Sequence, residues 1–181
     1  MLETHRLLLR PWQETDAERL YELASDPAVG PATGWLPHTS VENSRQIIAN
    51  VLSAPETYAV VSKQTGQVIG SMGIFVTRAL DMQEGDMEIG YWIGHPYWGN
   101  GYAPEGTKRL IRRCFEDFGC EQVWCAYFDG NDKSRRCMQK CGFTYHHTET
   151  NVLWVPTNQR KTVHYTHITR LQWEQINGKE C

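Results

Sequence analysis

No apolar run in the 181-residue chain approaches the roughly 20 residues that a membrane-spanning helix needs, and the opening MLETHRLLLRPW has neither the hydrophobic stretch nor the small-residue cleavage site of a secretion signal. A soluble, cytoplasmic protein without a membrane partner is expected. Excess charge is also missing: 18 Lys and Arg stand against 21 Asp and Glu, for a net charge of −3. Nothing in that balance would draw polyanions to the molecule as a whole, so no nucleic-acid partner is expected. CxxC spacing is absent among Cys114, Cys120, Cys125, Cys137, Cys141 and Cys181, which points to reduced, packed thiols rather than a disulfide framework. A zinc site from Cys137, Cys141, His146 and His147 would need a spacing found in no common zinc motif, and neither HxxxH nor HExxH occurs, so no metal is expected. Repeats, heptads and low-complexity tracts are lacking as well. What remains is ordinary globular composition, 40% hydrophobic and 22% charged, in a length that one domain over residues 1–181 can use to build a core.

Periodicity gives the order of elements. Thr4 to Arg10 reads as a strand stopped by Pro11, and Ala17, Leu20, Tyr21, Leu23 and Ala24 trace one face of a helix that ends at Asp26-Pro27. Ala28 to Thr39, punctuated by glycine and proline, reads as a loop or broken helix of the kind that faces ligands. A second helix over Ser40 to Leu52, a hairpin of Tyr58–Ser62 with Gln67–Val76, and a strand over Met87–Ile93 follow. Leu110, Ile111, Cys114, Phe115 and Phe118 form the apolar face of a helix from Ala103, closed by Gly119. The remainder reads as a strand over Gln122–Phe128, a short helix over Lys133–Cys141, a strand from Phe143 to His147, a loop or hairpin tip over Thr148–Lys161, and a closing strand over Val163–Leu171. Such an order predicts an α+β fold: one mixed sheet flanked by helices.

The segment richest in chemistry is Trp98-Gly99-Asn100-Gly101-Tyr102-Ala103-Pro104, a glycine turn between a strand and a helix. Its glycines let the backbone approach a ligand, and Pro104 suits the first helical turn, so the N–H groups of roughly Gly99 to Ala103 point outward together and, with the helix dipole, suit an anion such as pyrophosphate. It is no Walker loop, and it lacks the third glycine of the dinucleotide fingerprint.

Trp98-Gly99-Asn100-Gly101-Tyr102-Ala103 resembles the acetyl-CoA pyrophosphate loop of the GNAT superfamily of N-acetyltransferases, with Trp98 in place of the usual Gln or Arg. That departure, the opening Thr4-His5-Arg6-Leu7-Leu8-Leu9-Arg10-Pro11 and the strand Glu88-Ile89-Gly90-Tyr91-Trp92-Ile93 are similar to the RimJ/RimL-type subgroup, which acetylates ribosomal-protein N-termini. Residues Asn131 to Phe143 resemble the family's Asn-x-x-Ala/Ser helix ending in Gly-Phe. The likeness spans nearly the whole chain. It implies a GNAT fold and acetyl-CoA as cosubstrate, held by Trp98, Gly99, Asn100, Gly101, Tyr102, Ala103 and Asn131, with oxyanion donors on the backbone near Trp92 to Gly94 and Ile93 among the contacts. Many members carry a tyrosine seven residues after the asparagine as the acid for the departing thiolate; Met138 stands there and cannot donate a proton. The subgroup's acid, a serine three residues after the asparagine, corresponds to Ser134, which otherwise reads as a helix-capping serine.

Acyl transfer to an amine requires an amine freed of its proton, donors for the oxyanion and an acid for the leaving thiolate. Glu88 is the candidate base. Asp81, Glu84, Asp86 and Glu88 together either attract a cationic amine or form a solvated linker, and Trp35, Tyr91 and Trp92 either line an acceptor pocket or fill the core. Direct attack in a ternary complex is expected, since no cysteine lies in a nucleophile motif. The acceptor is a protein N-terminus or a small-molecule amine, and the protein a monomer or homodimer. Two alternatives stand beside this reading: a non-catalytic acyl-CoA-binding or sensor module, favoured by Met138, and a purely structural interaction domain.

Overall fold

The computed structural model describes residues 1–76 and 82–178, so Asp81 and Cys181 lie outside it. In chain order it contains β1 (Leu2–Glu3), β2 (Leu7–Pro11), α1 (Ala17–Ala24), α2 (Gly30–Thr33), α3 (Val41–Ile47), β3 (Thr57–Ser62), β4 (Val68–Phe75), β5 (Met87–Ile93), α4 (Tyr102–Glu116), β6 (Gln122–Phe128), α5 (Asp132–Lys140), β7 (Thr144–Trp154), β8 (Gln159–Thr169) and α6 (Arg170–Asn177). The strands form one sheet in the order β1-β2-β3-β4-β5-β6-β8-β7. The expected α+β architecture, one mixed sheet with flanking helices, is what the chain adopts.

Hydrophobic burial divides between the two faces of the sheet. On one face α4 and α5 cover Leu7, Leu9, Ile69, Met72, Ile89 and Val123 with Leu110, Ile111, Cys114, Phe115 and Met138. On the other, α1 and the turn after α3 lay Ala17, Leu20, Leu23, Ala24 and Ile48 on Ala59, Val61 and Val68. Strand alternation sends successive side chains to opposite faces, which is why β3 is buried along its whole length. Short connections make β1–β2, β3–β4 and β7–β8 antiparallel, whereas α4 crosses from β5 to β6 and makes that pair parallel. It is also very short: only Met87 with Val123 and Glu88 with Trp124 are in register, and beyond them the strands separate. That divergence is the opening on which the site is built.

Several segments differ from expectation: the first long strand runs Leu7–Pro11 rather than Thr4–Arg10, with Pro11 paired to Tyr58 and β1 ahead of it, and the helix expected over Ser40–Leu52 is α-helical only to Ile47. Thr148–Lys161 is mostly strand: β7 runs to Trp154 and β8 starts at Gln159, around a short 3-10 turn at Val155–Thr157. β7 is an edge strand with β8 as its one neighbour, so polar residues are tolerated on both of its faces, and irregularities between Tyr145 and His147 and between Glu149 and Val152 break the alternation. The closing strand stops at Thr169 rather than Leu171, because Thr169 and Gln172 form a reciprocal capping box that starts α6. Cys137 and Cys141 are buried in the α4/α5-side core while the rings of His146 and His147 pack around Trp124, so those four groups do not converge on a common point.

Candidate active site

Along β5, Gly94 N–H donates to Ile69 O at 2.8 Å, on β4. Antiparallel alternation then turns the N–H groups of Ile93 and Tyr91 the other way, toward the side that β6 has left. Ile93 O confirms the direction, since it accepts from Trp98 Nε1 at 2.6 Å across that edge. Strand donors facing a cleft are what an oxyanion requires; of the stretch Trp92 to Gly94 that the resemblance implies, Trp92 and Gly94 turn to β4 and Ile93 alone faces the cleft, joined by Tyr91 from outside that stretch.

The cleft continues past the N-terminus of α4. Gly99 and Gly101 adopt φ of +80° and +79°, the left-handed region where a side chain is strained, and no other atom lies within 4 Å of a Cβ built at Gly99. The first backbone bond at this end of α4 runs from Glu105 N–H to Gly101 O at 3.2 Å, so the preceding N–H groups have no acceptor within the helix. The open cradle and the helix dipole fit a pyrophosphate. Thr4 and Arg6 fix it from below. Arg6 donates to Glu105 Oε2 at 2.7 Å and to Asn100 O at 2.9 Å, and Thr4 Oγ1 donates to Glu105 Oε1 at 2.5 Å. Burial alone would raise the Glu105 carboxyl, but the bonds from Thr4 and from Arg6 outweigh it and hold the group below the usual carboxylate range. Trp98, Gly99, Gly101, Tyr102 and Ala103 all line the cleft, whose volume is about 1040 Å³. Asn100 instead turns its amide back onto Tyr97 O and Trp98 O, at 3.1 and 3.3 Å.

Helix α5 forms the opposite wall. Asn131 caps it by accepting from Ser134 N–H at 3.1 Å, and its amide donates to Ala32 O of α2 at 3.0 Å. The Asn131 side chain therefore fixes two elements of the wall. Ser134 Oγ lies 2.9 Å from the Tyr91 hydroxyl, which also donates to Ser134 O at 3.3 Å. Burial, reinforced by Cys125 and Cys137, pushes the Tyr91 phenol well above its ordinary pKa, so it stays protonated and neutral at any physiological pH. Met138 points elsewhere: it is buried in the core with Thr166 Oγ1 3.4 Å from its sulfur. Ser134 of α5 and Tyr91 of β5 both line the cleft, and Tyr91's link to Ser134 carries no motif by which the sequence would have announced it.

Ile89 and Tyr91 project to the α4/α5 side of β5, so Glu88 by alternation projects to the other. There it lines a second cavity of about 460 Å³ that shares Tyr91, Asn131 and Ser134 with the long cleft. Tyr127, Phe128, Trp154 and Tyr165 provide aromatic walls, Glu149 a second carboxylate, and Ala32 and Thr33 of α2 a roof. Trp154 Nε1 donates to Gly34 O at 2.7 Å and thereby ties the β7–β8 hairpin to that roof. Glu149 and Trp154 went unrecognised in the sequence because they fall in the stretch read as loop. Of the other acidic candidates, Glu84 is exposed, and Asp86 is buried, accepting from Trp124 Nε1 at 2.9 Å, which makes it part of the scaffold. Trp35 and Trp92 pack edge to face at 5.7 Å beside the α1-side core; Trp92 also borders the long cleft.

Comparison with known proteins gives the family and the fold. The profile of the acetyltransferase (GNAT) domain family matches residues 6–144. A Bacillus licheniformis protein named as uncharacterized N-acetyltransferase p20 is 31% identical over 147 residues, covering 78% of this chain and 81% of the relative. Among solved structures, a GNAT-family acetyltransferase from Bacillus anthracis superposes with a TM-score of 0.81 at 20% identity, over 93% of this chain and 97% of that one. Spermidine N-acetyltransferase from Vibrio cholerae, in complex with CoA and spermine, superposes with a TM-score of 0.75 at 14% identity, over 94% and 99% of the two chains, and so shares the fold.

Proposed function

This chain belongs to the GNAT family of acetyltransferases and is an N-acetyltransferase, and from that premise we propose that it transfers the acetyl group of acetyl-CoA to a primary amine by direct attack within a ternary complex. The observation that carries the proposal is the parting of β5 and β6 with Glu88 on one face of the sheet and Ser134 on the other. Acetyl-CoA supplies the activated acetyl thioester. The cradle at Gly99 to Ala103 holds its pyrophosphate, and the N–H groups of Ile93 and Tyr91 face the charge that develops on the carbonyl oxygen. Glu88 accepts the amine's proton on the acceptor side. Ser134, oriented by Tyr91, donates a proton to the leaving sulfur on the far side. Separation of base and acid by the sheet suits a reaction in which the nucleophile arrives from one side and the thiol departs from the other.

Met138, the feature that favoured a non-catalytic module, faces the core, and the Ser134 hydroxyl beside Tyr91 supports Ser134 as the acid instead. The motif Trp98-Gly99-Asn100-Gly101-Tyr102-Ala103 supports membership of the RimJ/RimL-type subgroup, which would make a protein N-terminus the acceptor, while the roofed cavity with Glu88 and Glu149 also suits a small cationic amine. Thiol release from acetyl-CoA, measured against peptides with free N-termini, amino acids, polyamines and aminoglycosides, tests the function and names the acceptor. Release that depends on one amine class supports the proposal; release at the same rate with and without every amine contradicts it.

A further inference from the structure

The cavity that Glu88 lines carries one carboxylate more than the activation of an amine needs, and strand register brings the second one in from the far edge of the sheet. Glu88 pairs with Trp124 of β6, which by alternation shares its face with Phe128. Phe128 pairs with Val163 of β8 and Val163 with Glu149 of β7, so that face runs unbroken from Glu88 to Glu149. On the same face His147 stacks on Tyr165 at 4.7 Å, and His147 Nε2 lies 3.5 Å from Glu149 Oε1, which holds the carboxylate against the wall. Burial, helped by Glu149 and Glu88, pushes the Tyr165 phenol up to about 12: both carboxylates act on one hydroxyl, and the wall there is neutral. Among the described residues no Lys, Arg or His lines this cavity; Lys161, 4.5 Å from the centre of the Phe128 ring, borders the long cleft instead. An attacking amine must be neutral, and Glu88 answers to the proton it gives up. Glu149 is left facing a group that keeps its charge through turnover, and the rings of Tyr127, Phe128, Trp154 and Tyr165 favour an alkylammonium there. The α2 roof, tied to the hairpin through Trp154, encloses a space of small-molecule size.

We propose that Glu149 sets acceptor specificity by binding a second ammonium group, so that the acceptor is a small alkyl diamine acetylated at its other end. The inference rests on the N-acetyltransferase reading and adds to it the charge of the acceptor. In the transfer the N–C bond forms and the C–S bond breaks, the attacking amine's proton goes to Glu88 and the sulfur takes one from Ser134; Glu149 and the second ammonium exchange no proton. Steady-state thiol release with an alkyl monoamine, the diamine of the same chain length and the ω-amino acid of that length tests it, together with calorimetric titration of the diamine into the CoA complex. In the wild type the KM for the diamine should lie about tenfold below that for the monoamine, with the ω-amino acid poorest, by margins that shrink as salt rises. Glu149→Gln should raise the KM and the Kd for the diamine about tenfold, with kcat, the KM for the monoamine and acetyl-CoA affinity within about twofold of wild type, and Glu149→Asp should restore part of the preference. Equal wild-type KM for monoamine and diamine, a preference that survives Glu149→Gln, or a loss shared by every acceptor in that variant would overturn the assignment, as would turnover of free peptide N-termini alone. Thiol release with no amine of any class would remove the N-acetyltransferase reading itself.

Discussion

Ser134 has two possible duties at the start of α5, to satisfy the helix terminus or to face the cleft, and the structure divides them between atoms. Its backbone N–H takes the cap from Asn131, which leaves Oγ for Tyr91 and the cleft. Replacing Ser134 by Ala should therefore lower kcat about 10²-fold while CoA affinity, measured by calorimetry, stays within about twofold of wild type. Tyr91→Phe removes the partner that orients that hydroxyl and should cost kcat about tenfold, roughly the worth of one buried hydrogen bond; an unchanged kcat in both variants would dismiss the pair from the mechanism. At this scale the sequence was legible where a motif fixes local conformation, as for the glycine turn before α4 and the start of α5 beside Ser134. Partnerships between distant positions were not: nothing in Tyr91 or Trp154 alone says that one meets residue 134 and the other residue 34.

At the scale of elements, α2 is held over the cavity that Glu88 lines from two directions, by Asn131 on α5 and by Trp154 on the hairpin. Gly34, at φ +91°, ends α2 where a Cβ would lie 2.5 Å from Trp154 Nε1 and 2.9 Å from the Phe128 ring. Gly34→Ala should displace the roof, destabilise the fold by about 1–3 kcal/mol and raise the KM for the acceptor amine, with CoA affinity little altered. Thermal unfolding and steady-state kinetics in each substrate would check it. Elements with a buried face and a polar one, α1 and α4 above all, were plain in the sequence because their apolar residues repeat with the helical period. The edge strand β7 was not, since little burial enforces alternation there, and α6 was overrun by the continuing alternation of β8 although Thr169 and Gln172 spell its cap.

Across the whole molecule the chain order predicted a mixed sheet but not where it would part, because a pairing of two residues leaves no trace in periodicity. The fold also ties α4 to the other half of the sheet through Arg113, which meets both oxygens of Glu56 at 2.6 and 2.7 Å beside β3. Hydrogen bonds from Arg113 outweigh burial and hold the Glu56 carboxyl below its ordinary value. Stability from this pair is accordingly complete above the unfolded carboxylate pKa of about 4.3 and is lost as pH falls through the lowered folded value. Glu56→Gln should lower stability by about 1 kcal/mol at pH 7, with the gap to wild type closing in acid, as urea midpoints at the two pH values would show.

The claim on which the rest depends is that the cleft beyond the β5–β6 opening holds acetyl-CoA through the backbone at Gly99 to Ala103. Calorimetric titration of acetyl-CoA into the wild type and into Gly101→Val tests it most directly, because the added side chain strains the left-handed turn and crowds the cradle, while the nearest outside atom to its Cβ is the flexible end of Arg6 at 3.4 Å. The account predicts one site per chain in the wild type and at least a tenfold loss of affinity in the variant, with both proteins still folding cooperatively. Wild-type affinity in Gly101→Val, or no binding to either protein, would contradict it.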